Sequence, residues 1–231
     1  MQSNRTDITP PKRKSTPKKK RVSKTKSSIR QTKKEESQST PVGQTDSYPL
    51  KVEEPVEQDY DSNRIQINKG PQESFINAPE REVLYGGAAG GGKSFALLID
   101  PLRYCDYAEH SALILRRTND ELRELIHKST EIYPKFYPGA KWSERKSQWT
   151  FPSGARIWLT YLEQDKDVLR YQGQSFSYVG FDELTQYPTS FPWDYLRSRL
   201  RSINPNIQVS MRATTNPGGP GHSWVKKMFI D

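Results

Sequence analysis

The sequence predicts an alternating α/β domain with a mainly parallel central sheet flanked by helices, preceded by a disordered basic tail. Three observations carry this expectation. Short apolar runs recur between longer helical patterns after about residue 64. A glycine-rich loop joins the first such run to a helix. Basic residues crowd into the first forty positions, where aliphatic side chains are scarce.

Charge divides the 231-residue chain. Residues 1–40 hold 13 of the 36 Lys and Arg and only three acids, Asp7, Glu35 and Glu36, whereas the remainder is close to neutral. Residues 1–46, rich in Lys, Ser, Thr, Gln and Pro, bury too little apolar surface to offset the entropy of ordering and are expected to stay disordered. The run Pro17-Lys18-Lys19-Lys20-Arg21-Val22 suits contact with nucleic-acid phosphates, each contact steepening the salt dependence by about 0.9 log unit per log unit of salt. A solubilising tail is the lesser alternative, and the same run would also pass as a nuclear-import signal. Residues 47–63 change sign through Glu53, Glu54, Glu57, Asp59 and Asp61 and read as an acidic linker. Residues 64–231 are long enough for one packed domain.

No apolar run approaches the ~18–20 residues of a membrane span, and the N-terminus lacks the hydrophobic stretch of a secretory signal, so neither insertion nor export is expected. The single cysteine, Cys105, cannot form an intrachain disulfide and reads as a small buried apolar residue. His110, His127 and His222 show no metal-ligand spacing.

The elements follow in order. Residues 82–85 read as a short buried strand, followed by a glycine loop and a helix over 93–104. Residues 112–115 form a second strand, and 119–133 an amphipathic helix through Leu122, Leu125, Ile126 and Ile132. Segments 147–151 and 155–162 alternate around Pro152-Ser153-Gly154, the signal of a β-hairpin. Trp142, Trp149 and Trp158 fall around it at a spacing that favours packing over base stacking. Residues 178–181 make a central strand ending in two acids, 191–201 a helix, and 207–213 a last strand.

Gly87-Ala88-Ala89-Gly90-Gly91-Gly92-Lys93-Ser94 satisfies G-x-x-x-x-G-K-[ST] and sits between a strand and a helix. Gly87, Gly90, Gly91 and Gly92 let backbone N–H groups curl around phosphates at the positive end of the helix dipole. Lys93 is expected to reach β/γ-phosphate oxygens, and the Ser94 hydroxyl to bind Mg²⁺. Asp182, at the end of the central strand, is placed to hold the metal directly or through a water. Glu183 is placed to polarise a water attacking the γ-phosphate, which favours ATP hydrolysis over kinase chemistry. Thr214, Thr215 or Asn216 could bond the γ-phosphate or that water, although a plain strand exit into Asn216-Pro217-Gly218 explains the same residues.

Taken together, these motifs resemble the large terminase subunit of tailed bacteriophages, from about Pro71 onward. The resemblance rests on Val83 to Gly87 through Lys93-Ser94, on Leu113-Ile114-Leu115-Arg116-Arg117, and on Tyr171-Gln172-Gly173 leading into Phe181-Asp182-Glu183-Leu184-Thr185-Gln186. It continues through Ser198-Arg199-Leu200-Arg201, Thr215 to Gly219, and His222 to Lys227. It implies a P-loop NTPase fold of the additional-strand catalytic-glutamate type and an ATP-hydrolysing motor that packages double-stranded DNA into procapsids. Implied partners are a portal protein, a small terminase subunit and further copies in a ring, with ATP and Mg²⁺ as cofactors, in the cytoplasm of an infected bacterium. By similarity, Gln72 contacts adenine, Lys93 and Ser94 the phosphates, Asp182 the metal, and Glu183 is the catalytic acid. Thr214, Thr215 and Asn216 form the coupling motif.

Two departures stand out. Many relatives carry an arginine near the middle of the loop, where this chain has Ala88 and Ala89. The missing charge is assigned to Arg170 as an arginine finger, with Arg197, Arg199 and Arg201 as other candidates; an ion pair of Arg170 with Glu163, Asp165 or Asp167 accounts for it equally well. No carboxylate cluster follows the third motif, so no nuclease activity is expected of this chain. The alternatives are an assembly component that binds nucleotide or DNA without autonomous hydrolysis, and another ATP-driven nucleic-acid motor such as a helicase.

Overall fold

A computed structural model of the chain describes residues 65, 67–88 and 90–231; the expected basic tail and acidic linker lie outside them. Seven strands form one sheet in the spatial order β1 (Glu82–Gly86), β7 (Ser210–Thr215), β6 (Tyr178–Phe181), β2 (Ser111–Arg116), β5 (Arg156–Tyr161), β4 (Gln148–Thr150), β3 (Lys141–Ser143). From β1 to β5 every pairing is parallel, and β4 and β3 add on antiparallel. The expected mainly parallel α/β fold is the one observed.

β2 shows why its sequence is an unbroken apolar run. Ala112 and Ile114 face a cluster that includes α1 (Pro71–Asn77), α2 (Lys93–Ile99) and α3 (Asn119–Phe136). Leu113 and Leu115 face Trp193 and Leu196 of α4 (Phe191–Arg197) and Val225 of α5 (His222–Phe229) on the other side. A central strand covered on both faces needs no polar alternation. On β6, Gly180 lets α2 lie close: a Cβ there would sit 3.2 Å from Leu97 Cδ1.

The expected helix over 93–104 is α-helical only to Ile99 and tightens to a 3₁₀ helix over Asp100–Tyr104. Pro101 has no N–H to offer the Leu97 carbonyl, so the ladder breaks there. The Tyr178 hydroxyl donates to the Leu97 carbonyl at 3.4 Å and that of Tyr133 to Leu98 at 2.9 Å. Asp100, whose carboxyl is pushed up by burial and partly held back by the charges of Arg103 and Arg212, ties this end to β7. Arg212 Nε lies 3.3 Å from Asp100 Oδ2, while its terminal nitrogens donate to the carbonyls of Glu80 and Ala78.

α3 begins where the Thr118 hydroxyl accepts from the Glu121 N–H at 3.3 Å, an N-cap. It buries Leu122, Leu125, Ser129 and Tyr133 and runs to Phe136, past the expected end. Trp149 is core, its Nε1 donating to Ser129 Oγ at 2.9 Å, with Trp142 and Trp158 half-buried beside the two cores. The hairpin forms as expected, and β3 is an unexpected third strand.

Two expected boundaries move. The 191–201 helix stops at Arg197, because the Arg199 carbonyl and the Arg201 N–H bond the backbone of Phe176 at 3.1 and 2.9 Å, making a parallel bridge at Leu200. The 207–213 strand starts instead at Ser210, since the Ile207 N–H closes a turn onto the Asn204 carbonyl at 3.1 Å. α1, α5 and a 3₁₀ helix over Asp165–Tyr171 have no counterpart in the sequence expectations. Cys105 is buried, as expected, and burial pushes its thiol up.

His110 is fully buried, its Nδ1 2.8 Å from Ser177 Oγ and its Nε2 without a partner among the described residues. Burial lowers its pKa from 6.5 to about 4. The unfolded chain therefore takes up this proton first, and the stability present above about pH 6.5 is lost as pH falls towards 4. Urea unfolding followed across that window is expected to lose roughly 3 kcal/mol from this group, at about 1.4 kcal/mol per pKa unit. His110→Gln should lack that pH-dependent component.

Candidate functional site

The register of the parallel strands aligns one row of residues at their C-terminal ends. Tyr85 pairs with Thr214, Arg116 with Tyr161, and Phe181 with both Leu115 and Ala213. One step on, Asp182 therefore lies between Thr214 and Arg116. Alternation places this row on the α2 side of the sheet, where the glycine loop enters its helix.

The loop is shaped by left-handed glycines and by two side chains outside it. Gly90 and Gly92 have φ of 87° and 68°. A Cβ on Gly92 would meet Gln72 Nε2 at 2.6 Å. Gln72 is buried, donating to the Gly92 carbonyl at 3.0 Å and accepting from the Asn68 N–H at 2.7 Å. The Tyr85 hydroxyl donates to the Gly91 carbonyl at 2.9 Å. Lys93 lies under the loop, where its ammonium donates to the carbonyls of Gly87 (3.0 Å) and Ala88 (2.7 Å) and to Asn216 Oδ1 (3.0 Å).

Asp182 is fully buried. Its Oδ1 accepts from Ser94 Oγ at 3.0 Å and from the Thr214 hydroxyl, and its Oδ2 lies 3.2 Å from Arg116 Nη1. Oδ2 has no hydrogen-bond donor among the described residues. A hydroxyl and a carboxylate sharing a contact, with one carboxylate oxygen left over, fit the oxygen donors that a hard divalent cation prefers.

Glu183 is held in a left-handed conformation, φ 57° and ψ 58°, which costs a non-glycine residue of order 1 kcal/mol. The bonds that retain it are visible. Its N–H donates to Thr214 Oγ1 at 3.2 Å, and its carboxylate accepts from the Asn216 N–H at 3.0 Å and from Asn216 Nδ2 at 2.8 Å. The Asn216 amide thus touches Lys93 with its oxygen and Glu183 with its nitrogen.

Most of the expected site residues converge: the loop glycines, Lys93, Ser94, Asp182, Glu183, Thr214 and Asn216 form one network, with Gln72 behind the loop. Thr215 does not join it. It points to the opposite face, its hydroxyl 2.8 Å from Thr185 Oγ1. Arg170 bonds the Thr160 hydroxyl at 3.0 Å and the Tyr161 carbonyl, at the end of β5 and the rim of the same sheet edge. It pairs with none of the expected acids: Asp165 is taken by Arg117 at 2.8 Å, and Asp167 accepts from the N–H of Gln164. Arg197 pairs with Glu82 at 2.7 Å, at the opposite end of β1, and Arg199 and Arg201 flank the Phe176 bridge at the entrance to β6. Sequence reasoning missed Tyr85, Thr185 and the position of Arg116. For Arg116 a signal existed: it follows the apolar run of β2 as Asp182 follows that of β6.

Residues 84–230 match the family model described as terminase large subunit, T4likevirus-type, N-terminal. No curated protein matches the sequence. Among solved structures, the large terminase from a thermophilic bacteriophage is similar with a TM-score of 0.55 at 17% identity, covering 72% of this chain and 43% of that one. The same terminase in complex with ADP gives 0.51 at 18% identity, covering 72% and 42%. The HK97 bacteriophage large terminase gives 0.52 at 10% identity, covering 71% and 36%. The chain thus spans about two-fifths of the length of these relatives, and at such identities the likeness shows a shared fold. The family match, which extends over more than half of the chain, identifies it as a member of the terminase large subunit family, within the N-terminal part.

Proposed function

We propose that this chain is the ATP-hydrolysing part of a viral DNA-packaging motor. The observation that carries the reading is the 3.0 Å contact between Ser94 Oγ and Asp182 Oδ1, which unites the glycine loop with the distant acid pair at one sheet edge. The ADP complex of the thermophilic phage terminase supports nucleotide as the ligand.

In this reading, backbone N–H groups of the loop and the start of α2 cradle the phosphates. Lys93 exchanges its present acceptors for β/γ oxygens. Gln72 keeps the loop in shape from behind and, by family resemblance, contacts adenine. Ser94 and Asp182 would hold Mg²⁺, which supplies charge neutralisation on the phosphates when bound. Glu183 orients water and accepts its proton as the oxygen attacks Pγ and the bond to the β-phosphate oxygen breaks, leaving ADP and phosphate. Thr214, which touches Asp182 and the Glu183 N–H, and Asn216, which touches the Glu183 carboxylate, are assigned the coupling role; Thr215 supports them through Thr185. Arg170, on the exposed rim, is assigned as a finger reaching a neighbouring subunit's nucleotide. Double-stranded DNA is the substrate that is moved, with a portal protein and a small terminase subunit as partners in a homo-oligomeric ring, in the cytoplasm of an infected cell.

Glu183→Gln is expected to retain binding of a fluorescent ATP analogue while slowing steady-state hydrolysis by roughly 10²–10⁴-fold. Loss of binding, or unchanged turnover, would remove Glu183 from this role. Arg170→Ala is expected to leave nucleotide affinity unchanged and to reduce hydrolysis in the assembled ring by about 10³-fold or more. Turnover equal to that of the wild-type ring would exclude it as the finger.

A further inference from the structure

Phosphoryl transfer depends on positive charge at the γ-phosphoryl oxygens. The loop contributes one cationic side chain, Lys93, with Ala88 beside it. A second cation lies in the row at the strand ends. Arg116 is the last residue of β2, nine-tenths buried, with Nη1 3.2 Å from Asp182 Oδ2.

Its contacts are incomplete in a telling way. Nε and Nη1 are both buried, and neither has a hydrogen-bond acceptor among the described residues; Asp182 Oδ2 has no donor. The two charges face each other without the two-pronged alignment that an Arg–carboxylate pair adopts when it serves structure alone. Other arginines of the same domain show what the structural use looks like. Arg212 also keeps a buried Nε without an acceptor, 3.3 Å from Asp100 Oδ2, but it donates both terminal nitrogens to backbone carbonyls at 2.7 and 2.9 Å, whereas Arg116 Nη1 has no such acceptor. Arg117 donates to Asp165 at 2.8 Å and stacks over Tyr187 at 5.3 Å. Glu121 also feels the charge of Arg116, but its oxygens are occupied by Gln186 Nε2 at 2.9 Å and the Thr118 hydroxyl at 3.0 Å. Buried donors left over beside the metal-binding acid call for an acceptor that arrives with the ligand.

We propose that Arg116 is the γ-phosphate-binding cation of its own chain's site, engaging a nucleoside triphosphate through the Nε and Nη1 donors that are free without it. A nucleoside diphosphate lacks those oxygens, so Arg116 discriminates triphosphate from diphosphate. It acts inside one subunit, whereas the finger role assigned to Arg170 is between subunits. The inference rests on the ATPase reading.

The test is calorimetric titration of the full chain with Mg²⁺ and either ADP or a non-hydrolysable ATP analogue, for wild type, Arg116→Lys and Arg116→Ala. The lysine keeps a charge beside Asp182 but loses the planar donors. Both variants are expected to keep wild-type ADP affinity and to lose roughly ten-fold or more on the triphosphate analogue. Circular-dichroism melting checks folding, and if the alanine variant unfolds, the lysine variant decides. An unchanged ratio of the two affinities, or an equal loss on both nucleotides, would make Arg116 a structural counter-ion and overturn the inference. Wild-type protein that binds neither nucleotide would overturn the ATPase reading itself.

Discussion

A carboxylate with no solvent contact must find its partners inside the protein, and Asp182 meets that demand through three separate segments. α2 brings the Ser94 hydroxyl, β7 the Thr214 hydroxyl and β2 the Arg116 guanidinium. None of the three is near Asp182 in sequence. Their meeting depends on the parallel register, because a shift of one residue in any strand would turn its side chain to the opposite face. The sheet is therefore more than a scaffold beneath the loop; its register defines the site.

The same constraint explains why the two apolar cores have different duties. The cluster on the α2 side presses the loop-bearing helix onto the sheet, with Gly180 giving it room and the Tyr133 and Tyr178 phenols sealing its last carbonyls. The opposite cluster anchors the segments that leave the strand ends, through Leu184, Tyr187 and Val225. Glu183 sits between these layers in a backbone conformation it would not adopt alone, held by Thr214 and Asn216.

Much of this was legible in the sequence where a local rule and the tertiary environment agree. The glycine loop and the strand over Tyr178–Phe181 were read with their bounds because glycine punctuation and an apolar run leave few alternatives. Boundaries failed where distant backbone competes. The helix beginning at Phe191 ends early because Phe176 recruits the following residues, and α2 tightens because Pro101 withdraws a donor. Arg116 and Thr185 stand inside recognised motifs yet carried no assigned role for another reason: their partners lie on other strands, and only register reveals them.

The three acceptors of the Lys93 ammonium have an energetic consequence for any occupant. Each bond to an incoming anion replaces one already present, so the net attraction is a difference and not the full strength of the new contacts. On departure the loop carbonyls and Asn216 reclaim the side chain at once. Exchange in either direction therefore strands no bare charge, because the same three acceptors can take the ammonium back.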